Sequence, residues 1–151
     1  MLTTKRTASS DTDFQTLVKA LDTDLKIRDG EEHDFYHQFN KINLIKYAVV
    51  AYDGDEAVGC GAVKEYSSDS MEVKRMYVPP QHRGKGIASI VLKELESWCK
   101  EQGYKKCILE TGKKQPEAIE LYKKNGYKII ANYGQYSTVA NSVCFEKSLI
   151  I

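Results

Sequence analysis

The fold of this chain is decided by one stretch, Gln81-His82-Arg83-Gly84-Lys85-Gly86-Ile87-Ala88. It follows an apolar run typical of a β-strand, 71–78, and it opens a long amphipathic pattern over 86–102. Glycine adopts backbone angles that other residues resist and leaves space for a ligand beside the chain. A helix N-terminus presents unpaired N–H groups and a partial positive charge. With Arg83 and Lys85 beside such an N-terminus, the stretch predicts a site for a phosphate or pyrophosphate.

Two familiar phosphate-binding motifs match this stretch poorly. The P-loop requires Ser or Thr after its Gly-Lys pair, whereas Lys85 is followed by Gly86. The Rossmann fingerprint has its first glycine directly after the strand and a third glycine later. Here the residues 79–83 precede Gly84, and Ser89 stands at the third position. A basic Gly-x-Gly turn can also simply begin a helix, so the eight residues alone leave that alternative open.

Length and composition restrict the class of protein. At 151 residues, we expect a single domain spanning 1–151 that is long enough to bury a core. The net charge of +1 supplies no broad basic face, so we expect neither a nucleic acid nor a membrane surface as a partner. The longest apolar run, 47–52, is too short to span a bilayer, and the first ten residues are polar. Four widely spaced cysteines without a Cys-x-x-Cys pair favour a reduced, cytoplasmic protein.

Hydrophobic periodicity predicts the element order β-α-α-β-β-β-α-β-α-β-β. The strands are predicted over 2–8, 47–52, 57–66, 71–78, 105–110, 128–133 and 142–149, and the helices over 13–25, 31–43, 86–102 and 115–126. The turn at 53–55 indicates an antiparallel hairpin, and the strand–helix–strand unit from 71 to 110 implies a parallel crossover. We therefore predict an α+β fold in which helices flank a mixed β-sheet. The buried stripe of the third helix is predicted to contain Ile87, Ile90, Val91, Leu95 and Trp98.

The stretch from 71 to 88 resembles the acetyl-CoA-binding core of the GNAT superfamily of N-acetyltransferases. That family has the signature Gln/Arg-x-x-Gly-x-Gly/Ala after a strand, and the matching residues are Gln81, Arg83, Gly84, Gly86 and Ala88. The resemblance continues through 110–111 and 118–127, and it is closest over 45–130. It implies the acyl-CoA N-acyltransferase fold and acetyl transfer from acetyl-CoA, as a co-substrate, to a primary amine by direct attack in a ternary complex.

By this resemblance, the acetyl-CoA contacts are expected from Met76, Tyr77, Val78, Gln81, His82, Arg83, Gly84, Lys85, Gly86, Ile87, Ala88, Ser89 and Gln115. The backbone of 76–78 would pair with the pantetheine arm like an added strand. In the family the fourth and fifth strands separate there, and a backbone N–H near Val78 would face the thioester oxygen. Gln115 stands where the family usually has an asparagine that contacts pantetheine, which leaves that contact open.

The resemblance also implies catalytic residues. Tyr122 matches the family tyrosine whose hydroxyl faces the cofactor sulfur, which makes it the candidate general acid; the alternative is an ordinary core tyrosine. Glu72 lies six residues before Val78, a spacing at which several family members place a catalytic base. The alternative is a surface carboxylate that pairs with Lys74, and Glu110 on the next strand is a rival base.

The sequence says less about the acceptor substrate than about the donor site and the catalytic residues. Residues 132–136 and 141–142 form a polar, aromatic segment that would line the acceptor pocket in this fold, or would be a surface hairpin. Its hydroxyls and amides suit a small polar amine such as an amino acid or amino sugar. An acceptor on a protein or peptide, and a non-catalytic acetyl-CoA-binding module, remain alternatives, and a homodimer stays open because dimers are common in the family.

A metal is not expected. His33 and His37 lie four residues apart on the predicted second helix, but the His-Glu-x-x-His pattern is absent and no third ligand is evident. With Tyr36, these side chains could instead contact the acceptor, because the first two helices wall the acceptor site in the family.

Overall fold

The computed structural model describes residues 1–29 and 45–150. The predicted helix over 31–43, with His33, Tyr36 and His37, lies outside the described residues. Within the described part, the strands are β1 (Leu2–Thr7), β2 (Tyr47–Asp53), β3 (Glu56–Glu65), β4 (Ser70–Tyr77), β5 (Lys106–Gly112), β6 (Lys128–Ile130) and β7 (Ser142–Ser148). The α-helices there are α1 (Thr12–Asp29), α2 (Ile87–Glu101) and α3 (Pro116–Lys124).

The strands form one mixed sheet in the order β1-β2-β3-β4-β5-β7-β6. Strands β1 to β4 pair antiparallel in sequence, because short turns connect β2 to β3 and β3 to β4. Strand β5 lies parallel to β4 after the crossover through α2, and β7 pairs antiparallel with both β5 and β6. The predicted α+β fold with a mixed, helix-flanked sheet is therefore confirmed.

Helix α1 covers one face of the first half of the sheet. The Asp11 carboxylate accepts the Phe14 N–H at 2.9 Å, which caps the helix at its start. The buried side chains of this face are Phe14, Leu17, Val18, Leu21, Ala48, Val50, Cys60, Ala62 and Tyr77. The helix continues to Asp29, beyond the predicted end at 25. None of the helices in residues 1–29 and 45–150 is long and apolar enough to cross a membrane.

Helix α2 packs on the opposite face, and its buried stripe differs from the predicted one. The buried residues are Ile87, Val91, Leu92, Leu95, Glu96 and Cys99. The prediction for Ile90 was wrong, because this side chain is 37% exposed on the far side of the helix. Trp98 is half-buried and packs edge-on against Tyr47, with ring centroids 5.0 Å apart.

Helix α2 approaches the sheet closely over the glycines of β3. A Cβ atom on Gly61 would lie 2.9 Å from side-chain atoms of Leu95 and Val91. Because carbon atoms in contact are normally about 3.5–4.0 Å apart, only glycine leaves room for the helix at this position. The helix ends where Gly103 adopts a positive φ of 88°.

Strand β6 ends at Ile130, three residues before the predicted end at 133. The cause is Asn132, whose side-chain amide donates hydrogen bonds to the Val139 and Ser142 carbonyls, each at 3.1 Å. These bonds turn the chain out of the strand. The segment between β6 and β7 therefore folds back toward the sheet.

Strands β4 and β5 pair only at one end. Ser70–Glu72 lie opposite Lys106–Ile108, and no pairing continues beyond them. Near this separation, β4 contains a bulge: Ala62 and Cys60 lie opposite Lys74 and Tyr77, so β4 has one residue more than β3. Arg75 occupies the bulge with a φ of +60°, an uncommon conformation for a non-glycine residue. Two consecutive side chains, Lys74 and Arg75, consequently lie on the α1 side of the sheet.

Candidate active site

Two adjoining cavities lie where β4 and β5 separate. The inner cavity has a volume of about 110 Å³ and is lined by Leu21, Leu25, Glu72, Val73, Lys74, Arg75, Met76, Glu110, Thr111, Gly112, Gln115, Ala118, Tyr122 and Tyr136. The outer cavity has a volume of about 460 Å³ and is lined by Leu21, Asp24, Met76, Tyr77, Val78, His82, Arg83, Gly84, Gly86, Ile87, Ala88, Ser89, Gln115, Glu117, Ala118, Glu120, Leu121, Tyr122 and Lys124. The residues common to both walls are Leu21, Met76, Gln115, Ala118 and Tyr122.

The outer cavity brings together the residues predicted to hold acetyl-CoA. All of the predicted residues line it except Gln81 and Lys85, whose side chains are exposed outside it. Gly84 and Gly86 have φ values of 81° and 79°, a conformation that other residues adopt only with strain. Gly86 also immediately precedes α2, whose first N–H groups have no partner within the helix. These features suit a phosphate-bearing ligand.

Arg83 is already engaged by the strand that the turn follows. Its Nε–H donates to the Val78 carbonyl at 2.8 Å, and its Nη2 lies 3.8 Å from the Asp24 carboxylate of α1. The guanidinium also lies 5.7 Å from the centroid of the Tyr77 ring. A ligand phosphate that binds Arg83 would therefore compete with Asp24.

Tyr122 lies at the junction of the two cavities. Its ring packs against those of Tyr127 and Phe145, at centroid distances of 5.7 and 5.9 Å. Burial raises the pKa of the Tyr122 phenol, and the Glu110 carboxylate raises it further, so the hydroxyl keeps its proton. Tyr122 is thus both a core residue and a wall of each cavity, which leaves its predicted role as an acid compatible with its packing.

Glu72 is a buried carboxylate on the wall of the inner cavity, with 5% exposure. Its Oε2 accepts a hydrogen bond from the Tyr133 hydroxyl at 2.6 Å, and its Oε1 lies 3.6 Å from Lys74 Nζ. The alternative of a surface carboxylate is wrong, although the predicted pairing with Lys74 is present. The Tyr133 partner was not predicted, because the two residues are 61 positions apart in the chain.

Glu110 lies on β5 and is half-buried. Its Oε2 accepts a hydrogen bond from the Ser142 hydroxyl at 2.6 Å. Burial is the largest cause that raises the pKa values of Tyr122 and Tyr136. The negative charge of Glu110 is the second largest. Both candidate bases therefore line the inner cavity, and Glu110 acts electrostatically on the candidate acid.

Lys74 is a feature of the site that sequence reasoning did not recognise as functional. Its side chain is only 8% exposed and lines the inner cavity. Burial lowers the pKa of the ammonium, while the Glu72 carboxylate opposes that shift. The available signal was a pair of adjacent cations, Lys74 and Arg75, inside a predicted strand.

The segment between β6 and β7 reaches the inner cavity. Tyr136 is 2% exposed and lines the inner cavity, so the alternative of a surface hairpin is wrong for this residue. Tyr133 packs edge-on against Tyr136 and Tyr66, at centroid distances of 5.8 and 5.1 Å. This aromatic packing holds the Tyr133 hydroxyl against Glu72. In the described ranges, no group of three or more His, Cys, Asp or Glu residues is arranged to hold a metal.

Comparison with known proteins gives a consistent result. A family model described as the Acetyltransferase (GNAT) family matches residues 14–127. The uncharacterized N-acetyltransferase YsnE of Bacillus subtilis is 35% identical over 101 residues, which cover 66% of this chain and 67% of that protein. The IAA acetyltransferase of Azospirillum brasilense is 35% identical over 102 residues, which cover 67% of each chain.

Solved structures resemble the whole of this chain. A structure from Klebsiella pneumoniae, assigned to the acyl-CoA N-acyltransferases, is 32% identical and covers 99% of this chain and 98% of its own, with a TM-score of 0.82. The PaiA N-acetyltransferase of Thermoplasma acidophilum, solved in complex with coenzyme A, is 20% identical, with a TM-score of 0.72. That match covers 98% of this chain and 99% of the Thermoplasma chain.

Proposed function

Because this chain belongs to the GNAT family of acetyltransferases, we propose that it transfers an acetyl group from acetyl-CoA to the primary amine of a small polar molecule. The observation that carries this proposal is the junction of the two cavities at Tyr122. The outer cavity has the glycine turn and helix N-terminus for a phosphate-bearing donor. The inner cavity has two carboxylates that suit an amine.

The donor binds in the outer cavity, where it supplies the acetyl thioester. The backbone of 76–78 holds the pantetheine arm, Gly84 and Gly86 hold the pyrophosphate, and a backbone N–H near Val78 stabilises the oxyanion. Gln115 reaches both cavities and contacts the arm from the α3 side. Arg83 exchanges Asp24 for a phosphate, which neutralises the charge of the ligand.

The acceptor amine binds in the inner cavity and loses its proton to the carboxylate pair, Glu72 and Glu110. A primary ammonium has a pKa of about 10, so the proton passes through an ordered water rather than by direct contact. The charge of Glu110 acts on Tyr122, the candidate acid. Glu110 is therefore the first of the two to test.

Tyr122 donates its proton to the departing sulfur. The phenol is protonated because burial and the Glu110 charge raise its pKa. A thiol pKa of about 8.5 means that the leaving thiolate needs only modest assistance. Attack is direct, in a ternary complex: Cys144 is fully buried and burial raises its pKa, which disfavours a thiolate nucleophile.

We place the reaction in the cytoplasm. All four cysteines are buried and free, so none needs an oxidising compartment.

The experiment is CoA release from acetyl-CoA with a panel of amino acids, amino sugars, polyamines, aminoglycosides and short peptides. We expect turnover with a small amine and a loss of about 10²–10³-fold in Tyr122→Phe. Tyr104→Phe is the matched control, because this hydroxyl bonds to Glu65 and lines neither cavity. Turnover with peptides alone would indicate that the acceptor is a protein or peptide and not a small molecule. Tight acetyl-CoA binding without turnover would indicate a binding module and contradict the proposal.

A further inference from the structure

We propose that the inner cavity selects an acceptor that carries a carboxylate beside its amine, as a free amino acid does, and that Lys74 binds this carboxylate. The inference rests on the proposed function, because it requires the acceptor amine to occupy the inner cavity. It narrows the acceptor from any small polar amine to a zwitterion.

The first observation is the bulge in β4. In a regular strand, consecutive side chains lie on opposite faces of the sheet. The extra residue in β4 instead places Lys74 and Arg75 on the same side, and both line the inner cavity. Arg75 adopts a φ of +60° at this bulge, a conformation that a non-glycine residue adopts only with strain. Two adjacent cations are thus held at one wall of the cavity.

The second observation is the burial of these cations. The side chains of Lys74 and Arg75 are 8% and 3% exposed. Buried charges are costly unless they have partners. Arg75 pairs with Asp22 at 2.7 Å, yet its Nε is a buried nitrogen without a hydrogen-bond partner among the described residues. Lys74 lies 3.6 Å from the Glu72 carboxylate, so a ligand carboxylate that reaches Lys74 would share the ammonium with Glu72.

The third observation is the distribution of charge. Glu110 acts on Tyr122 at the junction with the outer cavity. Lys74 and Arg75 lie on β4, the strand that also contains Glu72, and the charges of both Glu72 and Glu110 act on the Lys74 ammonium. The inner cavity thus combines two carboxylates with two cations. An amino acid placed with its amine toward Glu110 and its carboxylate toward Lys74 would match both signs. A polyamine or aminoglycoside brings only positive charge to this wall, and a peptide amine has no carboxylate at the same distance.

The size of the cavity agrees with a small zwitterion. A volume of about 110 Å³ is several times the roughly 10–15 Å³ that one water requires, and it is below the roughly 300–1,000 Å³ of pockets for drug-sized ligands. The inner cavity therefore suits a molecule of a few heavy atoms.

The test compares amino acids with their carboxamides, for example alanine with alaninamide and serine with serinamide, by kcat/KM in the CoA-release assay. The two members of a pair differ in the group that Lys74 would bind, which is a carboxylate in the acid and an uncharged amide in the carboxamide. The amine of the carboxamide is the more acidic, which by itself favours the carboxamide. We expect the wild-type protein to prefer the acid by about tenfold or more, through KM.

Variants assign the preference to Lys74. In Lys74→Met, we expect the ratio of acid to carboxamide to fall to about one or below, and Lys74→Arg to restore part of it. The matched control is Lys64→Met, which removes a nearby lysine of β3 that does not line the inner cavity, and it should keep the wild-type ratio. A merely structural role for Lys74 would lower both members of each pair equally and leave the ratio unchanged.

Two outcomes overturn the inference while the proposed function stands. One is a wild-type protein that acetylates acids and carboxamides equally, or only amines without a carboxylate. The other is an unchanged acid preference in Lys74→Met. A protein that acetylates no amine would show instead that the proposed function itself is wrong, and the inference would fall with it. The preference of the wild-type protein for acids over carboxamides can be measured without any variant. The inference can therefore be tested even if Lys74→Met fails to fold.

Discussion

Two buried glutamates in this molecule have the same kinds of partner and opposite surroundings. Glu96 and Glu72 are 8% and 5% exposed. Each carboxylate accepts a hydrogen bond from a tyrosine and pairs with a lysine. Glu96 lies on α2 and faces packed strands. Glu72 lies where β4 and β5 separate.

The closed cluster consists of Glu96, Tyr127 and Lys147. The Tyr127 hydroxyl donates to Glu96 Oε2 at 2.8 Å, and Lys147 Nζ donates to Oε1 at 2.9 Å. Both oxygens therefore have partners at hydrogen-bond distance, and none of the three residues lines the inner or outer cavity. This arrangement contributes to stability and leaves no position for a ligand.

The open cluster consists of Glu72, Tyr133 and Lys74. Its tyrosine bond is short, at 2.6 Å, but its lysine contact is 3.6 Å. Both Glu72 and Lys74 line the inner cavity. The comparison teaches that the same three residue types serve packing alone where the sheet is closed and form part of a cavity wall where it opens. The predictions below change one cluster at a time.

The largest difference is expected from the carboxylates. Glu110→Gln or Glu72→Gln should lower kcat/KM by about 10²-fold or more, because an amide cannot accept the amine proton. Glu96→Gln should leave turnover nearly unchanged and lower the free energy of unfolding by about 1–3 kcal/mol, through the lost charge-assisted bonds. CoA release and denaturant unfolding measure the two quantities. Less than a tenfold loss in both Glu72→Gln and Glu110→Gln would remove the carboxylates from the mechanism.

The next largest difference is expected between Tyr122 and Tyr127, two tyrosines whose rings pack edge to face. Tyr122→Phe should lower kcat by about 10²–10³-fold with little change in acetyl-CoA affinity, because only the transition state uses its proton. Tyr127→Phe should cost about 1–3 kcal/mol of stability with normal turnover, since it leaves a buried Glu96 oxygen without its donor. Steady-state kinetics with acetyl-CoA titration separates the two effects. Equal turnover in both variants would contradict the assignment of Tyr122.

A smaller effect on stability is expected from replacing a glycine in β3 or in the turn before α2. Gly61→Ala should lower the free energy of unfolding by about 1–3 kcal/mol, because the new methyl group overlaps Leu95 and Val91 of α2. Gly84→Ala has free space around its Cβ but a φ of +81°, so it should cost about 1–2 kcal/mol and weaken acetyl-CoA binding. Thermal unfolding with and without acetyl-CoA distinguishes them. An acetyl-CoA affinity that Gly84→Ala leaves intact would remove the turn from the donor site.

The smallest effect concerns alkaline pH. Burial raises the pKa of Tyr127 in the folded state, whereas an unfolded tyrosine ionises at about pH 10. Above pH 10 the unfolded state therefore binds fewer protons than the folded state, and stability falls as pH rises. Above pH 10, the free energy of unfolding of Tyr127→Phe should fall by about 1.4 kcal/mol less per pH unit than that of the wild-type protein. Unfolding at pH 9, 10 and 11 measures it, and an identical slope in both proteins would contradict the burial argument.

The raised pKa of Tyr122 also leads to a prediction about how turnover depends on pH. Because its pKa is raised, its proton-donor form persists through pH 10, and turnover should not decline below that pH through loss of this proton. A pH–rate profile of the wild-type protein, compared with Tyr122→Phe, checks this.

Local sequence was sufficient for most of the described fold and for most of the residues that line the outer cavity. The periodicity of the strands, the proline and glycine signals and the 81–88 turn all act within a few residues, so the order of the described elements could be predicted. Ile90 was misassigned because residues spaced three and four apart share a helix face only approximately. The sheet selected the face that contains Leu92 and Cys99 instead.

The acceptor side depends on contacts between distant residues, and these could not be read from the sequence. The bulge at Arg75 exists only in the pairing of β3 with β4, so Lys74 was read as an ordinary alternating residue. The Tyr133 hydroxyl donates to Glu72 across 61 residues of the chain, and the bend after β6 at Asn132 depends on carbonyls seven and ten residues further on. The charges that define an acceptor are therefore visible only after folding.

The most direct test of the central claim is a crystal structure of the protein with CoA bound. The account predicts that the pyrophosphate lies against Gly84 and Gly86 and that the thiol reaches the junction of the cavities, within about 3.5 Å of the Tyr122 hydroxyl. A thiol that ends elsewhere, with Glu72, Glu110 and Tyr122 remote from it, would contradict the account.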